Sequence, residues 1–97
     1  MAKQIIWSKI ALDNKLQILD YWTHRNKSTI YSKKINALFK ITSKLILEYP
    51  RLGKKTDNPK VKYIIVRDYL MFYEEKDDAI LILHIWDGRQ NPKKRIF

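Results

Sequence analysis

The sequence predicts an α+β domain in which a helical hairpin packs on one face of a four-stranded, mostly antiparallel sheet, in the order β-α-α-β-β-β. Two patterns support this prediction. Apolar residues recur at helical spacing in the first half of the chain, and residues 61–92 contain three β-rich runs separated by short polar turns. Because the apolar stripes of two consecutive helices need a surface to cover, the three runs are expected to supply the sheet.

The first half begins with a short apolar strand, Lys3 to Trp7, and continues with two amphipathic helices. Ser8 is a typical N-cap for the first helix, which is predicted to span Lys9 to about Arg25. Ser28 is expected to cap the second helix, which Pro50 ends. The apolar stripe of the second helix comprises Tyr31, Ile35, Leu38, Thr42, Leu45 and Tyr49.

The three β-rich runs predict an antiparallel meander. Val61 to Val66 and Tyr69 to Glu75 are separated only by Arg67 and Asp68, which leaves room for a hairpin turn. Ala79 to Trp86 shows almost no polar alternation, as expected of a strand covered on both faces, and we predict that it is the central strand. Polar residues 87–92 follow at the edge of a rigid sheet, which is a favoured place for function.

Length and composition limit the class of protein. At 97 residues the chain is expected to form one domain, residues 1–97. The absence of cysteine excludes a disulfide framework and a thiolate metal site, and no metal or other cofactor is expected. No stretch resembles a signal peptide or reaches the roughly 18 apolar residues of a membrane span. We therefore expect a cytoplasmic protein without a membrane partner.

The charged residues are unevenly distributed along a chain whose formal net charge is +10. Residues 27–62 contain ten Lys or Arg against only Glu48 and Asp57, a local charge of +8, whereas residues 63–92 carry a local charge of −3. The helices and the loop after them are therefore the basic part. This charge favours a polyanionic partner such as nucleic acid, or an acidic protein, and does not decide between them.

The segment from Pro50 to Lys60 is predicted to be a loop, because it combines Gly53 with two prolines and four basic residues. Its Lys54 and Lys55 are candidates for phosphate contact, and the alternative is that both are solvated surface residues. The spacing of a P-loop is absent, so the glycine and its lysines are a weak signal.

Two residues of the last strand and its exit are candidates for chemistry. His84, predicted to share a strand face with Ile80, Ile82 and Trp86, is a candidate general base, and the alternative is a packed core histidine. Arg89 is a candidate for bidentate phosphate binding, or it pairs with Asp87 and braces the turn. Further positive charge follows close to Arg89 in the tail, at Lys93, Lys94 and Arg95.

Scattered motifs, taken with the order of elements, the length and the charge, match one family over nearly the whole chain. The matching residues are Trp7-Ser8, Ala11, Tyr21-Trp22, Arg25-Asn26, Ser28, Tyr31-Ser32, Pro50, Gly53, Tyr69, Phe72-Tyr73, and Ile82 to Pro92 with its Asp-x-Arg-Gln-Asn-Pro exit. In these features the chain resembles the RelE/ParE superfamily, the small toxins of bacterial type II toxin–antitoxin operons, which include plasmid stabilisation proteins.

The resemblance implies a toxin that arrests growth, either by cleaving mRNA on the ribosome or by poisoning DNA gyrase. It also implies a cognate antitoxin, of which a disordered segment folds onto the toxin on binding and neutralises it. A non-enzymatic, basic nucleic-acid-binding module is the alternative of a different class, and it would use the same charge.

The residues leave open whether the chain is an enzyme. In the nuclease branch, the resemblance implies lysines on the second strand, an arginine after the aromatic residue that opens the third, another arginine past the last strand, and a tyrosine or histidine–tyrosine near the C-terminus. Here Arg89 is kept, but Leu70 follows Tyr69 and the chain ends in Phe97, which lacks a hydroxyl. The nucleic-acid-binding candidates are Lys54, Lys55, Lys62, Arg67, Lys93 and Lys94.

Overall fold

The structure is a computed structural model that describes residues 3–88. Two antiparallel helices, α1 (Lys9–Asn26) and α2 (Ile30–Glu48), cover one face of a five-stranded sheet. The strands are β1 (Gln4–Trp7), β2 (Lys54–Lys55), β3 (Val61–Val66), β4 (Tyr69–Glu75) and β5 (Ala79–Asp87). Their spatial order is β1-β5-β4-β3-β2, in which β1 runs parallel to β5 and the other neighbours are antiparallel. The predicted α+β fold is confirmed.

The sheet differs from the prediction in two details. Lys54 and Lys55, expected in a loop, form the edge strand β2 and pair with Tyr63 and Lys62 of β3. A two-residue strand has no periodicity that a sequence pattern can reveal. Because β2 adds an edge beyond β3, the middle strand is β4 rather than β5, and all five residues from Tyr69 to Tyr73 are buried.

Helix α1 begins directly after β1, beside the part of β5 with which β1 does not pair. The Ser8 hydroxyl accepts a hydrogen bond from the Ala11 N–H (2.9 Å), as predicted for an N-cap, and donates one to the Leu83 carbonyl (2.7 Å). One turn later, the Asn14 side-chain oxygen accepts a hydrogen bond from the Ile85 N–H (3.0 Å). The start of α1 thus satisfies backbone groups of β5 that β1 does not reach.

The buried face of α2 differs from the predicted stripe. Of that stripe only Ile35 is fully buried, and Leu45 and Tyr49 are 40% and 55% exposed. The face that packs inward is Ser32, Ile35, Phe39, Ser43 and Ile46. The prediction was wrong because serine reads as polar in a sequence, whereas the Ser43 hydroxyl is satisfied inside the helix by donating to the Phe39 carbonyl (2.8 Å).

The helix cap also differs: α2 begins at Ile30 with Thr29 as its N-cap, and the Ser28 hydroxyl accepts a hydrogen bond from the Ile30 N–H (3.2 Å).

The main core lies between the helices and the sheet. Its largest members are contributed by α2, β4 and β5, and they include Phe39, Met71, Tyr73, Ile80 and Ile82. Helix α1 is tied to the same layer by a hydrogen bond from the Trp22 indole N–H to the Tyr69 hydroxyl (2.6 Å). A second, smaller cluster of Val61, Leu70 and Phe72 lies on the other face of the sheet.

A β-bulge in β5 changes which of its side chains lie on each face of the sheet, compared with the prediction. Phe72 is paired with His84 but the next residue, Tyr73, is paired with Ile82, so that Leu83 is an extra residue in β5. Ile82 therefore faces the main core, whereas His84 faces the opposite side. The prediction that His84 shares a face with Ile80 and Ile82 is wrong, because the extra residue reverses the alternation.

Candidate functional site

The sheet face opposite the helices, here called the far face, carries a row of aromatic side chains. The strand register aligns Lys54 with Tyr63, Tyr63 with Phe72, and Phe72 with His84, across four strands. Adjacent rings are in contact: the centroids of Tyr63 and Phe72 are 5.5 Å apart and those of Phe72 and His84 are 4.6 Å apart. Trp86 extends this cluster, with its centroid 5.7 Å from that of His84.

His84 is therefore held between aromatic rings. Burial lowers the pKa of the His84 imidazole, because the charged form loses hydration. A neutral imidazole can accept a proton, so this environment is compatible with a general base as well as with a packed histidine. The catalytic role of His84 stays a prediction.

The far face is apolar at Leu70, the position at which the nuclease branch is expected to carry an arginine. Leu70 is only 5% exposed and is paired with Ile65 on one side and Trp86 on the other. Phe72, in the neighbouring row, is 2% exposed. Among residues 3–88, this part of the far face is lined by hydrocarbon and aromatic side chains rather than by cations.

The predicted cations that fall within the described part of the chain do not converge on one point. Lys54 lies at the edge of the far face, whereas Lys55 is paired directly with Lys62, so these two share the face that carries the helices. Arg67 occupies the β3–β4 turn with a left-handed backbone (φ 58°), at the opposite end of β3 from Val61. Arg89, Lys93 and Lys94 lie outside the described residues.

Tyr73, which sequence reasoning matched to the family but gave no structural role, fixes the segment that carries Lys54 and Lys55. The Tyr73 hydroxyl accepts a hydrogen bond from the Gly53 N–H (2.9 Å) and donates one to the Pro50 carbonyl (2.7 Å). Burial raises the pKa of Tyr73. The signal in the sequence was the glycine, which allows the backbone to approach a ring closely.

Beside this anchor, one carboxylate lies among several cations. The Lys3 ammonium donates a hydrogen bond to Glu75, which holds the pKa of that carboxyl below its usual range, with a further contribution from Arg51 and Lys62. Lys62 thus lies near an acid of the same sheet. The carboxylate reduces the local positive charge that a polyanion would meet at Lys62.

The outer surface of the helices exposes large apolar side chains. Leu12 and Leu16 lie four residues apart on α1, and Ile41 and Leu45 lie four residues apart on α2, so each pair forms a short stripe on its helix. Leu16 and Ile41 are each 61% exposed. Contiguous exposed apolar surface is unusual for a monomer and commonly marks a binding site.

A cleft of about 400 Å³ lies between α1 and the ends of β4 and β5. Its lining combines Asn14, Gln17, Tyr21, Tyr69, Trp86 and Asp87. The cleft borders the point where the chain leaves the sheet toward Arg89, so polar and aromatic groups are indeed presented at this rim.

Comparison with known proteins identifies the family. The family model described as "ParE toxin of type II toxin-antitoxin system, parDE" matches residues 5–92. The chain belongs to the ParE toxin family. No curated protein matches the sequence. Among solved structures, the chain is similar to one from the "Chromosomal ParDE TA system from P. aeruginosa", with 16% identity, a TM-score of 0.77, and coverage of 89% of this chain and 96% of that one.

The predicted RelE/ParE resemblance is therefore confirmed, and the ParE fold is shared despite the low identity. As a ParE toxin of a type II system, the protein has an antitoxin as its partner. Within residues 3–88, neither α1 nor α2 is both long and apolar enough to cross a membrane.

Proposed function

We propose that this ParE toxin arrests growth by binding DNA gyrase rather than by cutting mRNA. The observation that carries the proposal is Leu70. The position where the nuclease branch has an arginine holds a leucine that is buried between Ile65 and Trp86. A charged side chain at this position would disrupt the far-face packing, so the packing of this fold requires an apolar residue there.

RNA cleavage requires cations around the scissile phosphate and a group that moves the 2′-hydroxyl proton. On the far face, Lys54 stands at the β2 edge, and two rings, Tyr63 and Phe72, separate it from His84 in the row. Neighbouring strands are about 4.8 Å apart, so three strand spacings place the backbones of Lys54 and His84 roughly 14 Å apart. That separation does not favour joint action of the two side chains on one phosphate.

An aromatic and apolar face is better suited to protein contact. Aromatic residues are enriched in the centres of protein interfaces, because they bury a large area at a low cost in side-chain entropy. Tyr63, Trp86 and Ile65 all retain exposed surface on or beside the far face. We place the gyrase contact there, together with the adjoining cleft at the exit of β5.

The antitoxin is proposed to occupy the helical layer. Leu12, Leu16, Ile41 and Leu45 provide exposed apolar positions with helical spacing, which is the pattern that an amphipathic segment covers. The basic surroundings attract an acidic segment and accelerate its association. A disordered antitoxin segment that folds onto this layer does not occupy the far face, so neutralisation would then require a conformational or steric effect of the remaining antitoxin.

Growth assays test the toxin function. Induced expression in bacteria is expected to arrest growth, and co-expression of the cognate antitoxin is expected to restore it. His84→Phe is the informative variant, because it keeps a ring between Phe72 and Trp86. A contact toxin should therefore keep its arrest, while a nuclease that uses His84 as its base should lose it. Unimpeded growth at high levels of folded protein would contradict the proposal.

Ribosome-dependent mRNA cleavage is the second candidate, and the observation that favours it is the half-buried imidazole of His84, whose pKa is lowered by burial and which lies in the same row as Lys54. In that case Arg89 would supply much of the charge stabilisation. Removing one preorganised donor typically costs roughly 10²- to 10³-fold in rate, so Arg89→Ala should abolish cleavage.

A further inference from the structure

One surface of α2 is basic and carries none of the apolar residues assigned to the two proposed contacts. Residues 21–47 contain no Asp or Glu, and their Lys and Arg residues are all exposed. These residues are Arg25, Lys27, Lys33, Lys34, Lys40 and Lys44. Within residues 3–88, the ion pairs involve other side chains, namely Lys3 with Glu75, Lys76 with Glu74 and His24 with Asp20.

Three of these lysines form a straight row. At about 100° per residue, Lys33, Lys40 and Lys44 fall within roughly 40° of one line along α2, and they span about 16 Å. Tyr31, which packs against Trp22 of α1 with a centroid distance of 4.7 Å, lies roughly 160° from that line. The row therefore points away from α1, and Ile41 of the proposed antitoxin site lies roughly 80° from it around the helix.

Helix stability does not account for the row. Lys40 and Lys44 are like charges four residues apart, which destabilises a helix. Lys33 lies near the N-terminal end of α2, where the helix dipole disfavours a positive charge, and the first turn of α2 has no acidic residue. Lys33 and the Lys40–Lys44 spacing are thus slightly unfavourable for the helix, whereas Lys44 also lies four residues before Glu48, which is favourable.

The chemistry of the row fits a phosphate backbone. We propose that Lys33, Lys40 and Lys44 bind the backbone of duplex DNA. Lysine acts toward phosphate as a point charge, and a rigid helix holds such charges at fixed spacing against the regular phosphates of a duplex. Ala37 lies near the same line between Lys33 and Lys40. The row therefore lacks the large apolar centre of a protein interface.

The same row is poorly suited to a single strand. Proteins that bind single-stranded nucleic acid combine cations with aromatic rings on which bases stack. The exposed tyrosines of the helical layer are Tyr21, on α1, and Tyr49, which lies roughly 160° from the lysine line. Binding through the row should therefore be independent of base sequence and strongly dependent on salt.

Salt-dependent binding tests the assignment. A short labelled DNA duplex is titrated with the whole protein between about 50 and 200 mM salt, and log K is plotted against log salt. The triple variant Lys33→Gln, Lys40→Gln, Lys44→Gln is expected to reduce the slope by about 2 to 3. The control triple variant Lys9→Gln, Lys60→Gln, Lys76→Gln removes the same net charge and is expected to keep the slope near that of wild type.

A stability measurement and two other probes complete the test. Thermal unfolding should show the α2 triple variant to be folded, with a midpoint within about 4 °C of the wild type, because the substitutions remove both the Lys40–Lys44 repulsion and the favourable Lys44–Glu48 spacing. Equal slopes for the two triple variants would overturn the proposal. So would tighter binding of a single strand, or a loss of poly-glutamate binding as large as the loss of duplex binding. The assay uses the protein alone, so its outcome is independent of gyrase inhibition.

Discussion

The hydroxyl of Tyr73 lies 2.9 Å from the backbone nitrogen of Gly53, and this contact fixes the chain between the helical layer and the edge strand β2. A Cβ atom on Gly53 would lie 2.5 Å from that hydroxyl oxygen and 2.7 Å from the Tyr73 ring. The glycine and the tyrosine are therefore one structural unit, although twenty residues separate them in the sequence.

This unit gives the first prediction. Tyr73→Phe should cost about 1 to 3 kcal/mol, because the Gly53 N–H and the Pro50 carbonyl both lose a partner. Gly53→Ala should be destabilising in the wild type and less so in the Tyr73→Phe background, where the nearest clashing atom is absent. Denaturant unfolding of the two single variants and the double variant should give a coupling of about 0.5 to 3 kcal/mol. Strict additivity would contradict the contact.

The bulge in β5 gives the second prediction. Ile82→Ala should cost about 2 to 5 kcal/mol, since Ile82 is fully buried in the main core. Leu83→Ala should cost less, because the extra residue of the bulge is only partly buried. Lys54→Ala should change stability by no more than about 0.5 kcal/mol. Denaturant midpoints in which Leu83→Ala is the most destabilising would show that the register is different.

The third prediction concerns pH. Burial lowers the pKa of His84 below its usual 6.5, so below that pH the unfolded chain binds a proton that the folded chain does not. Stability should therefore fall as the pH drops from about 6.5 toward the folded-state pKa. His84→Phe keeps a ring between Phe72 and Trp86 and removes the titration, so its stability should vary less with pH in this range. An unchanged pH profile would contradict the buried environment.

The fourth prediction concerns the antitoxin. Leu16→Glu and Ile41→Glu should each weaken antitoxin binding by more than about 1 kcal/mol, because a charge replaces an apolar contact. Both positions are 61% exposed, so the fold should tolerate the changes. Ile65→Glu is the matched control, at a position 53% exposed on the far face. Calorimetry in which the control weakens binding as much as the helix variants would place the antitoxin elsewhere.

The elements of the fold could be predicted because each has its own periodicity. Two helical stripes and three β-rich runs are local patterns, and a helical hairpin next to a meander leaves few arrangements. The inward face of α2 could not be read in the same way. Ser32 and Ser43 are buried polar residues whose hydroxyls find partners only in the folded chain.

The arrangement of the candidate site residues depends on strand pairing between residues that are far apart in the sequence. The side of β5 on which His84 lies is set by the extra residue Leu83, and a bulge arises from pairing with another strand. Likewise, Lys54 and Lys55 are separated onto two faces by a strand of only two residues. Charge and residue type identified these side chains as candidates, but only the strand register determines which of them lie together.

The central claim is that this ParE toxin acts by contact with gyrase, and a supercoiling assay tests it most directly. Purified toxin is added to DNA gyrase and relaxed plasmid, beside a translation reaction on a defined mRNA that is read by primer extension. The account predicts inhibition of supercoiling, relieved by the cognate antitoxin, with the mRNA left intact. Unimpaired supercoiling together with cleavage of the mRNA at codons would contradict it.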